Sequence, residues 1–326
     1  PATVTFSATG TPGTATTLAV AGYTSPSTAG ASSSFTVTAK DSYGNTATGY
    51  TGTVTFTSLD SAATLPSNYT FVAGDSGVHS FTATLKTQGT LLSITATDTV
   101  TGSITGTQSP IVVTSSTADH IAIVAGNSQS TTVGSAVSTA PKIQIQDIYN
   151  NPVQGTVVTF TVASGGGSVG SATATTDSSG YASSTWTLGT TAGANTLTVG
   201  RQTTALPGTP ATVTFSATGT PGTATTLAVT GHPASTTAGT SNSITITAYD
   251  ANGNVATGYT GTVAITSSDG SATLPANYTF VGADAGVKTR SVTLKTAGTQ
   301  SITATDTVTA SITGSQTGIT VTASSE

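Results

Sequence analysis

The 326-residue chain contains no cysteine and no methionine. Without cysteine there is no disulfide staple and no thiolate zinc site. Charge is almost as scarce: Asp, Glu, Lys and Arg make up 6% of the residues, against about 25% in an ordinary soluble domain. Five lysines and two arginines form no basic stripe that could neutralise phosphates, so nucleic acid is excluded as a partner. Glu326 is the only glutamate, and the net charge is −5. No apolar run approaches the ~20 residues needed to cross a bilayer, so no transmembrane segment is expected in this stretch. No window carries a sustained 3.6-residue apolar period, so almost no helix is expected. The opening Pro1-Ala-Thr-Val4 is strand-like and lacks the basic-then-apolar pattern of a signal peptide. The start of a precursor is therefore expected to lie elsewhere.

What remains is Thr, Ser, Gly, Ala and Val. Hydrophobic residues still reach 35%, and they alternate with Thr and Ser in short runs. That alternation is the strand signature, and it argues against a disordered Ser/Thr-rich stalk. Thr and Val are β-branched and suit a pleated, half-buried surface.

The stretch PATVTFSATGTPGTATTLAV occurs at residues 1–20 and again, letter for letter, at 210–229. Such a repeat marks a tandem array. Four segments follow: 1–13, the terminal strand (Val4 to Ala8) and linker of a preceding repeat; 14–116, unit 1, of type A; 117–222, unit 2, of type B; and 223–326, unit 3, a second type A. The Thr-Pro-Gly at 11–13 and 220–222 punctuates the units.

In unit 1 the pattern predicts strands at Leu18–Tyr23, Ser34–Lys40, Thr53–Thr57, Tyr69–Val72, Val78–Leu85, Leu92–Thr97 and Ile111–Thr114. In unit 2 it predicts Ile121–Val124, Lys142–Asp147, Thr156–Val162, Ala172–Thr176, Tyr181–Leu188, Asn195–Val199 and Thr212–Ala217. The inward candidates there are Ile143, Ile145, Val158, Phe160, Val162, Trp186, Leu188, Leu197 and Phe215. Seven short strands with turn signals every 8–12 residues form the pattern of a two-sheet sandwich. Unit 3 repeats unit 1 at an offset of 209, less one residue near Leu91–Leu92. Val54/Val263, Leu65/Leu274, Tyr69/Tyr278, Phe71/Phe280 and Leu85/Leu294 are kept between the copies. Phe81 becomes Arg290, which predicts that Phe81 faces solvent.

In the middle unit, DIYNNPVQGTVVTFTVASGGGSVGSATATTDSSGYASSTWTLGTTAGANTLTV resembles the bacterial Ig-like domains of the invasin/intimin type. The outer units, with GYTGTVTFTS, ATLPSNYTF and DSGVHSFTATLKTQGT, are similar to Ig-like repeats of very large bacterial surface proteins. The resemblance implies an all-β chain of tandem immunoglobulin-like β-sandwiches arranged as an extended rod. It also implies an extracellular or cell-surface location and a stalk, fibre or adhesin. The tip domain, membrane barrel and anchor motif of that family are not in this stretch, so adhesion itself is not carried over.

No catalytic, cofactor-binding or metal-ligating residue is assigned. His79 becomes Lys288 in the sister copy and His232 stands where unit 1 has Tyr23, which is a poor pattern for a catalytic base. The eleven Asp are spread over three units, mostly at turns. Asp41-Ser-Tyr-Gly-Asn45, Asp147-Ile-Tyr-Asn-Asn151 and Asp250-Ala-Asn-Gly-Asn254 carry hard oxygens. Ca²⁺ takes about six to eight oxygens, more than the side chains of one such loop provide, so turn shaping is the expected role. An isopeptide from Lys40 or Lys86/Lys295 lacks an evident partner acid. Asn68-Tyr-Thr70 and Asn277-Tyr-Thr279 fit the N-glycosylation pattern. Trp186, beside Leu188 on an alternating strand, is expected in the core.

The expected function is that of a structural repeat segment, a rigid stalk or self-associating fibre or sheath, and not an enzyme. At ~3.3 Å per strand residue three units in line exceed ~100 Å. The expected partners are copies of the chain itself, packed laterally or end to end. The alternative is an adhesin module that grips a glycan or surface protein through its loops, with Tyr23, Tyr43, Tyr50 and Tyr149 as candidates.

Overall fold

The structure, a computed structural model, describes residues 3–7 and 10–324. In unit 1 the strands are β1 (Thr17–Ala21), β2 (Ser27–Thr28), β3 (Ser32–Lys40), β4 (Thr53–Ser58), β5 (Tyr69–Thr70), β6 (Val78–Thr84), β7 (Gly89–Asp98) and β8 (Thr105–Thr114). In unit 2 they are β9 (His120–Ala125), β10 (Gln129–Thr132), β11 (Lys142–Gln146), β12 (Val157–Ser164), β13 (Gly167–Val169), β14 (Thr173–Thr175), β15 (Tyr181–Ser183), β16 (Trp186–Leu188), β17 (Gly193–Arg201) and β18 (Thr212–Thr220). In unit 3 they are β19 (Thr226–Thr230), β20 (Ser235–Thr237), β21 (Ser241–Tyr249), β22 (Thr262–Ser267), β23 (Tyr278–Thr279), β24 (Val287–Thr293), β25 (Gly298–Asp306) and β26 (Thr313–Thr322). Helix is confined, among the described residues, to single 3₁₀ turns at Ala73–Asp75 and Gly282–Asp284.

The two type-A units share one topology. A three-stranded sheet (β1-β3-β6, β19-β21-β24) faces a five-stranded one (β2-β8-β7-β4-β5, β20-β26-β25-β22-β23). The chain leaves the small sheet after β1 and joins the large one through β2, which runs parallel to β8. This sheet switch is what the alternation pattern missed, because β2 is two residues long. Unit 2 is built alike, with β10 parallel to β18. Its predicted strand Tyr181–Leu188 splits, β15 pairing with β11 and β16 with β13. All of these are immunoglobulin-like β-sandwich arrangements of strands.

Buried residues gather in three clusters, spanning Leu18–Val113, Ala118–Ala217 and Leu227–Val321. They come from alternate positions of the strands, as β3 shows with Phe35, Val37 and Ala39 inward. In unit 2 Ile143, Ile145, Val158, Phe160, Trp186, Leu188, Leu197 and Phe215 are buried, and Val162 packs against them half-buried. Each such side chain removed from water contributes ~1.5–3 kcal/mol. The two sheets approach closely where Gly106 and Gly314 lie against the carbonyls of Leu18 and Leu227. A methyl group at either glycine would overlap that carbonyl.

Three expectations are corrected. Phe81 does not face solvent: it is buried, with its ring 5.7 Å from Phe35, 4.7 Å from Phe56 and 5.4 Å from Tyr69. Its replacement Arg290 lays its guanidinium 3.8 Å from the centre of the Tyr278 ring, the counterpart of Tyr69. Arginine covers apolar surface with its stem and stacks its planar head, so it fills an aromatic's place without exposing it. Residues 3–7 are exposed and lie in no strand, with Phe6 94% exposed. A strand exists only where its backbone groups find a ladder, and these residues pair with none; Ala8 lies outside the described residues. The predicted strand Tyr69–Val72 is cut to Tyr69–Thr70 by the 3₁₀ turn, whose start is held by Asp75 accepting the Val72 N–H at 2.8 Å.

The residue that unit 3 lacks is a bulge. Between Gly89 and Leu92 strand β7 runs three steps while β8 runs two, from Val113 to Ile111. Leu91 is pushed out to 72% exposure, as expected for an unpaired inserted residue.

Candidate functional site at the unit junctions

Each unit carries one Asp-x-x-x-Asn loop after its second long strand. Asp41 Oδ1 accepts the N–H groups of Tyr43 and Asn45, both at 2.9 Å. Asp147 Oδ1 does the same with Tyr149 and Asn151 at 2.8 and 2.9 Å. Asp250 Oδ1 does it with Asn252 and Asn254 at 2.9 and 2.8 Å. These are Asx turns, in which a carboxylate stands in for a backbone acceptor. The second oxygen takes an N–H from the linker entering the unit: Gly13 at 2.9 Å, Ser116 at 2.8 Å and Gly222 at 2.8 Å. The same oxygen also accepts the Asn amide, at 3.1, 2.9 and 3.0 Å. Each carboxylate therefore ties linker, loop and Asn together. The Gly13 N–H, with the Asn45 and Tyr43 donors, holds Asp41 down at about 2 against the opposing effect of desolvation. Burial pushes Asp250 up, but the donors from Asn254, Gly222 and Asn252 outweigh it and keep it below the usual carboxylate range.

The Asn at the end of the loop reaches into the preceding unit. Asn151 donates to Lys86 C=O at 2.7 Å and accepts the Gln88 N–H at 2.8 Å. Asn254 donates to Thr190 C=O at 2.8 Å and accepts the Ala192 N–H at 2.7 Å. A primary amide suits this task, since it offers a donor and an acceptor side by side to one stretch of backbone. At the first junction Tyr149 adds a wall, with its ring end against Gly30, which sits at φ +81° with no side chain in the way.

The receiving loops are themselves braced. Asp60 accepts the N–H groups of Lys86 at 2.5 Å and Thr87 at 3.0 Å, and the Thr87 hydroxyl at 2.6 Å. Its counterpart Asp269 binds Lys295 and Thr296 the same way. Burial opposes ionisation at Asp269, yet these bonds hold it at about 2. In unit 2 the buried Asn195 does the work, accepting the Gly189 N–H at 3.3 Å and donating to Gly193 C=O at 3.1 Å.

The loop aromatics separate into two groups. Tyr23 and Tyr50 are buried at 3% and 9% exposure and offer nothing to a partner. Tyr50 donates to Asp98 at 2.5 Å, as Tyr259 does to Asp306, and Tyr23 Oη accepts the Leu85 N–H at 3.2 Å. Tyr23 lies beyond the end of β1, not within the strand expected over Leu18–Tyr23, and Tyr50 lies on a loop, so strand alternation did not show their burial. Tyr149 belongs to the junction, and Tyr43 is 89% exposed. His79 stacks on Tyr69 and contacts Asp75 at 2.9 Å, while Lys288 contacts Asp284 at 2.8 Å in the same place. The exchange of an imidazole for an ammonium thus preserves a contact to carboxylate. His120 lies between Asp119 and Gln146, and His232 is buried with Nδ1 near Pro233 C=O. Trp186 is fully buried. Lys40 and Lys86 point at the hydroxyls of Thr46 and Thr64. Asp60 and Asp98 went unremarked in the sequence. Their signal was available, since both recur in unit 3 as Asp269 and Asp306.

No family model matches the chain, and no curated protein matches it. Among the described residues no helix is long and apolar enough to cross a membrane. Solved structures do resemble it. The Escherichia coli adhesin FdeC is 14% identical over 96% of this chain and 99% of that one, with a TM-score of 0.47. Bacterial invasin, described as an integrin-binding protein, is 20% identical over 94% of this chain and 60% of its own, with a TM-score of 0.42. Yersinia pseudotuberculosis InvD is 18% identical over 92% and 95%, with a TM-score of 0.41.

Proposed function

We propose that the chain is a spacer: a segment of a bacterial extracellular or cell-surface protein in which segments 14–116, 117–222 and 223–326 are separate sandwiches stacked end to end. One observation carries this reading. At both junctions the Asp-x-x-x-Asn loop of one unit bonds backbone of the unit before it, and its Asp bonds the linker between them. A linker free to bend would need no such ties, and every tie removes rotational freedom from the joint. Length then follows from repetition. The charge-poor outer faces support sideways association as well. On the large sheets Thr95 and Thr107, and Thr97 and Thr105, pair their hydroxyls at 2.8 Å, and unit 3 repeats the pattern with Thr303–Ser315 and Thr305–Thr313. Such ladders leave a face with no charge to repel a second copy.

Small-angle scattering on the chain tests the stalk. A maximum dimension above ~100 Å is expected. A double Asn151→Ala, Asn254→Ala variant is expected to sample more bent shapes. A compact particle, or a variant with an unchanged profile, counts against it. The second reading, an adhesive module for a glycan or surface protein, has one observation in its favour, the exposed ring of Tyr43. A glycan array decides it: binding that disappears on Tyr43→Ala would make the module adhesive.

A further inference from the structure

Unit 1 carries the same junction loop as the other two units, but among the described residues its outward half meets nothing. Asn45 is exposed, whereas Asn254 is half-buried and Asn151 buried against their neighbours. Among the described residues its amide bonds only Asp41. Tyr43 occupies the place of Tyr149 in the loop and is 89% exposed. The crevice beside the linker tells the same story. In unit 3 a cavity of ≈630 Å³ is walled by Pro221–Ala224, Gly258–Gly261 and Ile312, with Thr132 of unit 2 closing it. In unit 1 a cavity of ≈400 Å³ has the matching walls, Pro12–Ala15, Gly49–Gly52 and Ile104, and no counterpart of Thr132.

The chemistry says what fits. Residues 1–13 are identical to 210–222, the linker that follows a type-B unit, and Gly13 bonds Asp41 as Gly222 bonds Asp250. The linker after a type-A unit is different and uses Ser116. A type-B unit also offers a glycine where Tyr43 needs one. Gly30, which Tyr149 covers, donates its N–H to Leu85 C=O at 2.8 Å, and Gly134 of unit 2 donates to Gly189 C=O at 2.9 Å from the same place in its fold. Unit 3 has Asn252 at the tyrosine position, so Gly134 is left open there, with only Thr190 of its own unit within 4 Å.

We propose that loop 41–45 is the receiving half of a junction whose partner is a type-B unit joined ahead of it through residues 1–13. Asn45 takes the C=O of that unit's residue 190 and the N–H of its residue 192, and Tyr43 closes over its Gly134. This junction combines the backbone clasp of the second junction with the tyrosine wall of the first. The proposal rests on the stacked-unit reading; scattering on the unextended chain tests that reading by itself, so the two fail separately.

The experiment extends the chain with a copy of residues 117–209 placed directly ahead of Pro1, which regenerates the sequence of the second junction through residue 20. Nitration at Tyr43, read by mass spectrometry, is expected to slow about tenfold in the extended chain relative to the 326-residue chain. Amide exchange at the added Ala192 is expected to quicken about tenfold on Asn45→Ala, the loss of one protecting hydrogen bond. The original Ala192, held by Asn254, serves as the internal control and keeps its rate. An unchanged nitration rate at Tyr43 overturns the proposal. So does an Asn45→Ala variant with no effect at the added Ala192. Asn45 is exposed, so its replacement leaves unit 1 folded.

Discussion

Residues 1–20 and 210–229 have one sequence and two environments. In their second halves the copies agree: β1 and β19 bury Leu18 and Leu227 to the same 5% exposure. In their first halves they part. Phe215 is fully buried on β18, opposite Leu197 of β17, while Phe6 is 94% exposed and residues 3–7 form no strand. Propensity is identical in the two copies and cannot account for the difference. What differs is the company: β18 has β17 on one side and β10 on the other. Thr-Val alternation prepares a strand, and a ladder with a core beneath it makes one.

Units 1 and 3 teach the same lesson at a finer scale. Phe35, Phe56 and Phe81 interlock in unit 1, where unit 3 has Ile244, Ile265 and Arg290. The backbone registers of β3–β6 and β21–β24 match all the same. The fold tolerates exchange of core volume as long as the inward face stays covered.

The sharpest break in the first comparison is Phe215→Ala. It is expected to destabilise unit 2 by about 3–5 kcal/mol, read as a lowered calorimetric transition. Phe6→Ala in the identical local sequence is expected to shift nothing. A smaller effect comes from Tyr259→Phe. It leaves the buried Asp306 short of a donor and is expected to cost about 1.5–3 kcal/mol. Tyr50→Phe in unit 1 should cost the same, and unequal losses would mean that the two type-A cores differ more than their registers do. Smaller again, Asn151→Ala removes two inter-unit hydrogen bonds and is expected to cost about 1–2 kcal/mol of coupling between units 1 and 2. Asn45→Ala in the 326-residue chain should cost none, which side-by-side denaturation of the two variants checks.

Acid gives the mildest effect. Asp41, Asp269 and Asp284 are each lowered from an ordinary value of 3.8 to about 2. At Asp41 the first cause is the Gly13 N–H; at Asp269 hydrogen bonds outweigh burial; at Asp284 the Lys288 ammonium comes first. A carboxylate bound more tightly when ionised stabilises the folded state above its unfolded pKa, and that stabilisation is lost as pH falls through the folded value. Melting temperature should therefore hold steady from neutral pH to about 4 and decline between about 4 and 2. A decline beginning near pH 6 would overturn the assignment of this loss to the three carboxylates.

Much of the candidate site was legible in advance. The three Asp-x-x-x-Asn loops were visible as turns, and the carboxylates do shape them. That the Asn also reaches a neighbouring unit was not visible, because the groups it binds are backbone, and backbone carries no letter. The burial of Phe81 was misread for a related reason. Replacement by Arg looks like exposure in a sequence, whereas in space the guanidinium stacks on a tyrosine.

Composition, alternation and the repeat were enough to determine an all-β chain of two-sheet sandwiches and most of its inward residues. They sufficed because strand pattern is a local property with a period of two. Tertiary structure alone decided where the two-residue strands switch sheets and which loop amides meet across a junction. Those outcomes depend on partners far away in sequence, and a hydrogen bond has no direction until both of its ends are in place.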